Sequence, residues 1–178
     1  MRLVDERELL ERAQSSGTGF GELFDVCYDR IYKYAYRRVG SREIAEDLAA
    51  NVFEDAMREI KRVRWQGKPI IAWLYRITSR RIADYYRDRK DNESLEHSVI
   101  PIDDRVHESV ERADDVAAVQ RGLAKLKASD REIILLTYFD ELSGAEIAAA
   151  LDCTPNTVYV RLHRALEKLE RIVRDEIG

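Results

Sequence analysis

Residues 143–166 read SGAEIAAALDCTPNTVYVRLHRAL, and this stretch decides how the C-terminal part of the chain folds. Ser143 and Glu146 have the spacing of a capping box, which begins a short alanine-rich helix. Thr154 is placed to cap a second helix, and Pro155 takes its first position, where a missing N–H is tolerated. Only a tight turn separates the two helices. The pattern therefore predicts a helix-turn-helix.

A helix-turn-helix binds DNA by placing the first turns of its second helix in the major groove, where side chains contact base edges. The side chains that this helix projects there are Asn156, Thr157, Tyr159, Val160, Arg161, His163 and Arg164. Asn pairs with adenine and Arg with guanine, whereas Val160 contacts only the methyl group of thymine. Lys168 lies further along, where phosphate contact is favoured. The alternative is a helical hairpin with a purely structural role.

Two further features complete the predicted C-terminal module. Ser129 and Glu132 also have capping-box spacing, which predicts the start of a helix that continues to Phe139. The helix after Thr154 is expected to bury an apolar stripe, made of Val158, Leu162, Ala165, Leu166, Leu169 and Ile172.

The N-terminal part is predicted to form three helices. Apolar side chains recur at intervals of three and four over residues 20–39 and again over 45–60, which is typical of amphipathic helices. Gly40 ends the first helix and Ser41 caps the second. A third helix is predicted over residues 70–90.

The predicted third helix carries a basic and aromatic face. Its side chains opposite the apolar stripe are Trp73, Arg76, Arg80 and Arg87, and the preceding loop repeats the mixture with Arg64, Trp65, Gln66 and Lys68. Guanidinium groups pair with phosphates, and an indole ring stacks on an unpaired base. This face therefore suits a nucleic acid. The alternative places the arginines in water and both tryptophans in the core.

Charge and composition divide the chain. Residues 58–90 contain eleven Lys or Arg against three Asp or Glu, whereas residues 91–115 contain two against nine. We expect an N-terminal helical domain over residues 1–90, an acidic linker over 91–115 and a helix-turn-helix domain over 116–178. Only 8 Gly and 3 Pro in 178 residues disfavour an all-β fold, so we expect an all-α fold class with two small helical domains.

Composition also excludes several classes of protein. The two cysteines have no Cys or His neighbour at metal-ligand spacing, so we expect neither a disulfide framework nor a metal site. No apolar run is long enough to cross a bilayer and the N-terminus has no apolar signal core, so we expect a cytoplasmic protein without membrane insertion. No Gly-rich phosphate loop appears and the three histidines are scattered. We therefore expect no cofactor and no enzymatic activity.

Four strings, in this order and spacing, resemble the extracytoplasmic-function (ECF) class of bacterial sigma factors, which keep only conserved regions two and four. The strings are AEDL at 45–48 followed by Phe53, AWLYRI at 72–77, LSGAEIA at 142–148, and Thr157-Val158 with RLHRA at 161–165. The resemblance covers about residues 20–90 and 116–173. Where the family often has Lys or Arg and then Ser after Thr-Val, this chain has Tyr159 and Val160.

The resemblance implies a role for each part of the chain. The surface around Glu46, Asp47, Asn51 and Phe53 would dock on the RNA polymerase core. The loop at residues 64–69 and the third helix would capture and open the −10 promoter element, and the helix-turn-helix would bind the −35 element of promoter DNA. An anti-sigma factor is the further partner that the resemblance implies.

The charge balance bears on how such a protein would bind DNA. Residues 116–178 carry nine basic and ten acidic residues, whereas unaided binding to duplex DNA is favoured by a net basic domain. We expect weak binding by the free chain and stronger binding once polymerase presents both modules together. Two alternatives remain open at this stage: a conventional helix-turn-helix regulator that binds DNA without polymerase, and an interaction protein without a DNA role.

Overall fold

The computed structural model describes residues 6–90 and 113–177, and every regular element within these ranges is helical, as predicted. The N-terminal module contains α1 (Glu6–Ser15), α2 (Gly17–Val39), α3 (Arg42–Glu59) followed by a 3₁₀ turn (Ile60–Arg62), and α4 (Ile70–Lys90). The C-terminal module contains α5 (Ala113–Lys125), α6 (Ala128–Tyr138), α7 (Gly144–Ala150) and α8 (Pro155–Ile177). None of these helices is long and apolar enough to cross a membrane.

The corner between α2 and α3 forms as the sequence predicts. Gly40 has φ of 70°, a left-handed conformation that favours glycine, and its N–H donates to the carbonyl oxygen of Tyr36 at 2.8 Å. Ser41 then caps α3 by accepting a hydrogen bond from the N–H of Ile44. Cys27 is buried on the packed side of α2, as expected from its place in the apolar stripe.

Helix α1 is an addition to the predicted elements. It buries Leu9, Leu10 and Ala13 against the other N-terminal helices. The side-chain amide of Gln14 donates to the carbonyl oxygens of Ile60 and Val63, at 2.9 and 2.7 Å. These bonds fix α1 to the 3₁₀ turn that follows α3.

The predicted capping box at Ser129 is wrong. Helix α6 begins at Ala128, and Lys127 is its N-cap without a side-chain capping bond. The N–H groups of Asp130 and Arg131 both donate to the carbonyl oxygen of Lys127 at 3.0 Å, so Ser129 already lies inside the helix. The Glu132 side chain is engaged elsewhere, because it accepts a hydrogen bond from Tyr34 of α2.

The helix-turn-helix is confirmed in its local detail. Ser143 and Glu146 form the reciprocal capping box, with N–H to side-chain oxygen distances of 3.2 and 2.7 Å. Thr154 accepts from the N–H of Thr157 at 3.2 Å and so caps α8. Of the predicted apolar stripe, Val158 and Ala165 are buried. The remaining four, at the border of the packed face, are half-buried, namely Leu162, Leu166, Leu169 and Ile172.

The two modules pack against each other. Helix α4 contacts α7, and buried side chains from both modules belong to one continuous core. The predicted linker lies mostly outside the described residues, and α5 begins at Ala113, within the range assigned to that linker. Local sequence patterns predicted α2, α3, α4, α6, α7 and α8, but neither α1 and α5 nor this contact between the modules.

Candidate nucleic-acid interface

Helix α4 presents its arginines to solvent, and its tryptophan is partly covered. Arg76, Arg80 and Arg87 are exposed, whereas Trp73 is half-buried against the core. Trp65, in the loop before α4, is 38 % exposed. The structure thus lies between the two alternatives, in which the tryptophans face a nucleic acid or lie in the core. The Trp65 indole is accessible, whereas the Trp73 indole packs against the core and is accessible only in part.

A cleft brings the loop and α4 together. It has a volume of about 250 Å³ and is lined by Trp65, Trp73, Arg76 and other residues of the N-terminal module, with Ala149 of α7 at its border. This is smaller than the roughly 300–1,000 Å³ of typical small-molecule pockets. A cleft with two indole rings and a guanidinium group suits a single unstacked base with its adjoining phosphate. The other predicted residues on its lining are Arg64, Gln66 and Lys68.

The cations around this cleft differ in what they pair with. Within residues 6–90 and 113–177, Arg64 and Arg76 form no ion pair. Arg80 lies 3.8 Å from Glu59, and Arg87 lies 2.7 Å from Asp84 on its own helix. The arginines on the cleft are thus more available to a phosphate group than those further along α4.

Helix α8 keeps the predicted base-contacting side chains accessible. Tyr159 is 71 % exposed and Val160 is 37 % exposed. Asn156, His163 and Arg164 are also exposed, whereas Arg161 is half-buried.

Three of the predicted DNA-contacting side chains on α8 already have partners. The exposed Thr157 hydroxyl lies 2.9 Å from that of Thr154. Lys168 bonds Asp130 of α6 at 2.5 Å, and His163 lies 3.4 Å from Glu167. The lysine would have to exchange a carboxylate for a phosphate when DNA binds.

The predicted docking surface on α3 is polar except at one position. Asp47 and Asn51 are exposed, and Glu46 accepts a hydrogen bond from Arg42 at 2.8 Å. Phe53, expected at the surface, is only 4 % exposed, because its ring packs against Phe24 with centroids 4.7 Å apart. It therefore supports this surface from below.

An aromatic row beside the acidic surface was missed. It runs along α2 with four-residue spacing and consists of Phe24, Tyr28, Tyr32 and Tyr36. Successive ring centroids lie 4.9, 6.3 and 6.0 Å apart. The regular i,i+4 spacing of aromatic residues was a signal in the sequence, since such positions share one helix face.

The contact between the modules was missed as well. Arg37 and Arg38 of α2 both reach Asp140, in the connection between α6 and α7. Burial raises the pKa of the Asp140 carboxyl despite the two arginines. Burial would lower the pKa of Arg38, but Tyr34 and the surrounding carboxylates raise it above its ordinary value. Nothing local in the sequence indicates this pairing.

Comparison with known proteins gives the family. The model of Sigma-70 region 2 matches residues 23–91, and the model of Sigma-70 region 4 matches residues 117–169. The first range includes Trp65, Trp73 and Arg76 of the cleft, and the second includes α7 and the part of α8 up to residue 169.

Individual proteins agree with this assignment. The chain is 32 % identical to the ECF RNA polymerase sigma factor BldN of Streptomyces coelicolor over 95 % of its own length and 66 % of BldN. It is 29 % identical to the ECF RNA polymerase sigma factor SigW of Bacillus subtilis over 98 % of its own length and all of SigW.

Solved structures show the same fold at lower identity. CnrH, in complex with the cytosolic domain of CnrY, matches with a TM-score of 0.69 and 24 % identity, covering 96 % of this chain and 97 % of CnrH. The sigma factor RpoE of Bartonella quintana, solved with the anti-sigma factor NepR, matches with a TM-score of 0.66 and 22 % identity, covering 87 % and 96 %. The chain belongs to the ECF family of RNA polymerase sigma factors.

Proposed function

We propose that the chain binds core RNA polymerase, recognises the −35 and −10 elements of a promoter and promotes strand opening at the start of transcription. The polymerase performs the chemistry, so the chain itself is not an enzyme, and it acts in the cytoplasm. The observation that carries the proposal is the presence, in one chain of this family, of an accessible indole-and-arginine cleft and an accessible second helix of a helix-turn-helix.

The cleft residues would hold the opened −10 element. Arg64 and Arg76 are placed to neutralise phosphates, while Trp65 and Trp73 provide surfaces on which an unpaired base stacks. Stacking of this kind holds single strands apart because the base pair cannot re-form while the base is bound. The remaining residues assigned to this element are Gln66, Lys68, Arg80 and Arg87.

Helix α8 would contact the −35 element in the major groove. Asn156, Arg161 and Arg164 supply hydrogen-bond readout of purines, and Tyr159 and Val160 supply apolar contact. The other residues assigned to this element are Thr157, His163 and Lys168. We also propose the division at residues 1–90, 91–115 and 116–178, with each promoter element assigned to one terminal domain.

The polar face of α3 would dock on the polymerase core. Glu46, Asp47 and Asn51 provide the polar part of this surface, with Phe53 beneath it. The aromatic row adds apolar area of the kind enriched in protein interfaces. An anti-sigma factor would compete by covering these surfaces. RpoE, a protein of this fold, has been solved in complex with the anti-sigma factor NepR.

Run-off transcription with purified core polymerase tests the proposal. A genomic promoter library supplies templates, and two paired variants separate the roles. Arg76→Ala with Arg80→Ala should impair strand opening more than formation of the closed complex. Arg161→Ala with Arg164→Ala should weaken recruitment to duplex DNA. Wild-type activity from both variants would contradict the assigned surfaces.

A further inference from the structure

Helix α1 contacts the loop that precedes α4 through one of its faces. Glu6, Leu10 and Gln14 recur at intervals of four residues, so their side chains lie on the same side of the helix. The loop, residues 63–69, connects the 3₁₀ turn to α4 and carries Trp65. We call it the −10 loop, after the promoter element proposed for it.

Gln14 fixes the start of the −10 loop. Its Nε2 atom donates to the carbonyl oxygen of Ile60 at 2.9 Å and to that of Val63 at 2.7 Å. A side-chain amide nitrogen carries two N–H donors, so these two bonds use both of them. Ile60 begins the 3₁₀ turn and Val63 begins the loop. One side chain therefore holds the backbone on both sides of the point where the turn ends.

Glu6 fixes the other end of the −10 loop. Its Oε2 atom accepts a hydrogen bond from the N–H of Ile70 at 2.8 Å. Ile70 is the first residue of α4, and the first N–H groups of a helix have no partner within it. The preceding residue, Pro69, has no side-chain oxygen with which to cap α4. Helix α1 thus supplies the capping carboxylate, which the helix dipole also favours at this position.

Leu10 lies between the two anchors and forms part of the cleft. It is 2 % exposed and lines the same cleft as Trp65 and Trp73. Glu6 and Gln14 are two turns apart on α1, about 12 Å along the helix axis. One helix face therefore supports both ends of the −10 loop and part of the wall against which its tryptophan lies.

The tip of the −10 loop is open to solvent. Residues 64–68 are all exposed, and Gly67 has φ of 69° with nothing within 4 Å of the position that a Cβ would take. An exposed segment of this kind is ordered mainly through its ends. A loop that is already ordered loses less conformational entropy when it binds a partner. The anchors at both ends therefore favour binding of a base by Trp65.

We propose that α1 is a positioning element for strand opening: Gln14 and Glu6 hold the two ends of the −10 loop, so that Trp65 is in place to receive an unpaired base. Both residues act through the loop and not on the DNA. The match to Sigma-70 region 2 begins at residue 23, so α1 lies outside it. The role in opening rests on the proposed function, whereas the hold of α1 on the loop is a property of the chain alone.

Hydrogen–deuterium exchange of the free full chain tests the hold of Gln14 on the loop. Gln14→Met removes both donors and keeps a side chain of similar length. Exchange of the hydrogen-bonded amides of Val63, Ile70 and Ala72 should become about tenfold faster. Ser15→Ala is the matched control and should leave this exchange unchanged, because the Ser15 hydroxyl donates to the backbone of α1 itself.

Two variants of Glu6 separate its hydrogen bond from its charge. Glu6→Gln and Glu6→Met both remove the negative charge, but only glutamine keeps an oxygen that accepts from the N–H of Ile70. Glu6→Met should speed exchange of the Ile70 amide about fivefold, whereas Glu6→Gln should stay within about twofold of wild type. Equal effects of the two variants would overturn the capping role of Glu6.

Strand opening by the reconstituted holoenzyme tests the consequence for function. A fluorescent base analogue in the −10 element follows opening, and a band shift at low temperature measures the closed complex. Gln14→Met and Glu6→Met should each slow opening, by about tenfold and about fivefold, and leave the affinity of the closed complex unchanged. A role of α1 in stability alone would lower the amount of active holoenzyme without slowing the opening by the holoenzyme that forms.

Circular dichroism verifies that each variant keeps its helix content. Unchanged exchange in Gln14→Met, or faster exchange together with a wild-type rate of opening, would overturn the proposal. If the wild-type chain with core polymerase opens no promoter, the proposed function fails, and exchange still decides whether α1 orders the −10 loop.

Discussion

Arg37 and Asp140 are separated by 103 positions in sequence, yet their side chains meet at 2.5 Å in the interior of the folded chain. The pair lies where α2 of the N-terminal module meets the connection between α6 and α7 of the C-terminal module. It is one of several contacts between the two modules, and it joins the module that carries the surface proposed for the −10 element to the module that carries the helix-turn-helix proposed for the −35 element.

Two glycines of α2 are predicted to respond oppositely to alanine. A Cβ on Gly19 would lie 2.1 Å from the carbonyl oxygen of Arg12, so α1 would have to move away from α2. A Cβ on Gly21 would meet nothing within 4 Å. Gly19→Ala should lower the free energy of unfolding by about 1–3 kcal/mol, and Gly21→Ala should raise it by about 0.5–1 kcal/mol through helix propensity.

Urea denaturation followed by circular dichroism measures both values. Equal effects of the two substitutions would show that α1 does not pack on α2 in the way described.

The two thiols are predicted to react at different rates. Cys27 is 2 % exposed and burial raises the pKa of its thiol to about 12, whereas Cys153 is only half-buried. The thiolate is the reactive form. A disulfide reagent at about pH 8 should therefore label one thiol per native chain promptly and both in denaturant. Prompt labelling of both thiols in the native chain would place Cys27 outside the core.

Glu146 is predicted to make stability depend on pH. Burial raises the pKa of its carboxyl, but hydrogen bonds from Ser143 and Arg30 outweigh this and lower the pKa below its ordinary value. When the folded state lowers the pKa of a carboxyl, the ionised carboxyl stabilises the fold at every pH above its ordinary pKa of about 4.3. This stabilisation is lost as the pH falls through the lowered pKa.

The free energy of unfolding should therefore fall more steeply for wild type than for Glu146→Gln as the pH drops from about 5 to about 3. Urea titrations at each pH measure it, with Glu170→Gln as the control for a carboxyl on the exposed side of α8. Parallel curves for wild type and Glu146→Gln would contradict the hydrogen bonds assigned to this carboxyl.

How far the sequence predicted this structure depends on the range of each interaction. The last residue of α2 follows from Gly40, and the first residues of α7 and α8 follow from Ser143 and Thr154. These positions could be predicted because a cap bonds only groups within about four residues of itself in the chain. Helix α1 was missed because its position depends on distant residues: Gln14 fixes it to carbonyl groups 46 and 49 positions away.

In the candidate site, too, the local features were predicted from the sequence and those that depend on distant residues were not. The arginines of α4 and the exposed edge of α8 follow from helical periodicity, which shows the side that a residue faces. Phe53 was misplaced, since its burial depends on the ring of Phe24 on another helix. The pairing of Glu132 with Tyr34, 98 positions away, was likewise not predicted.

Tyr159 and Val160 predict an apolar contribution to recognition of the −35 element. Both are exposed on α8, and apolar side chains in the major groove contact the methyl group of thymine. Replacing thymine by deoxyuridine within the element removes only that methyl group. Holoenzyme binding should weaken by about 1 kcal/mol, roughly fivefold, for wild type.

The paired variant Tyr159→Ala with Val160→Ala should bind both templates equally, and deoxyuridine placed between the two elements should have no effect. If wild type does not distinguish the templates, these two side chains do not contact thymine methyl groups.

The most direct measurement of the central claim is binding of promoter DNA by the chain alone and by the chain with core polymerase, at the same salt concentration. The account predicts little shift of the DNA by the free chain, no sequence-specific complex with core alone, and a stable, sequence-specific complex when both are present. Tight sequence-specific binding by the free wild-type chain would contradict it, because the chain would then need no polymerase to recognise its promoter.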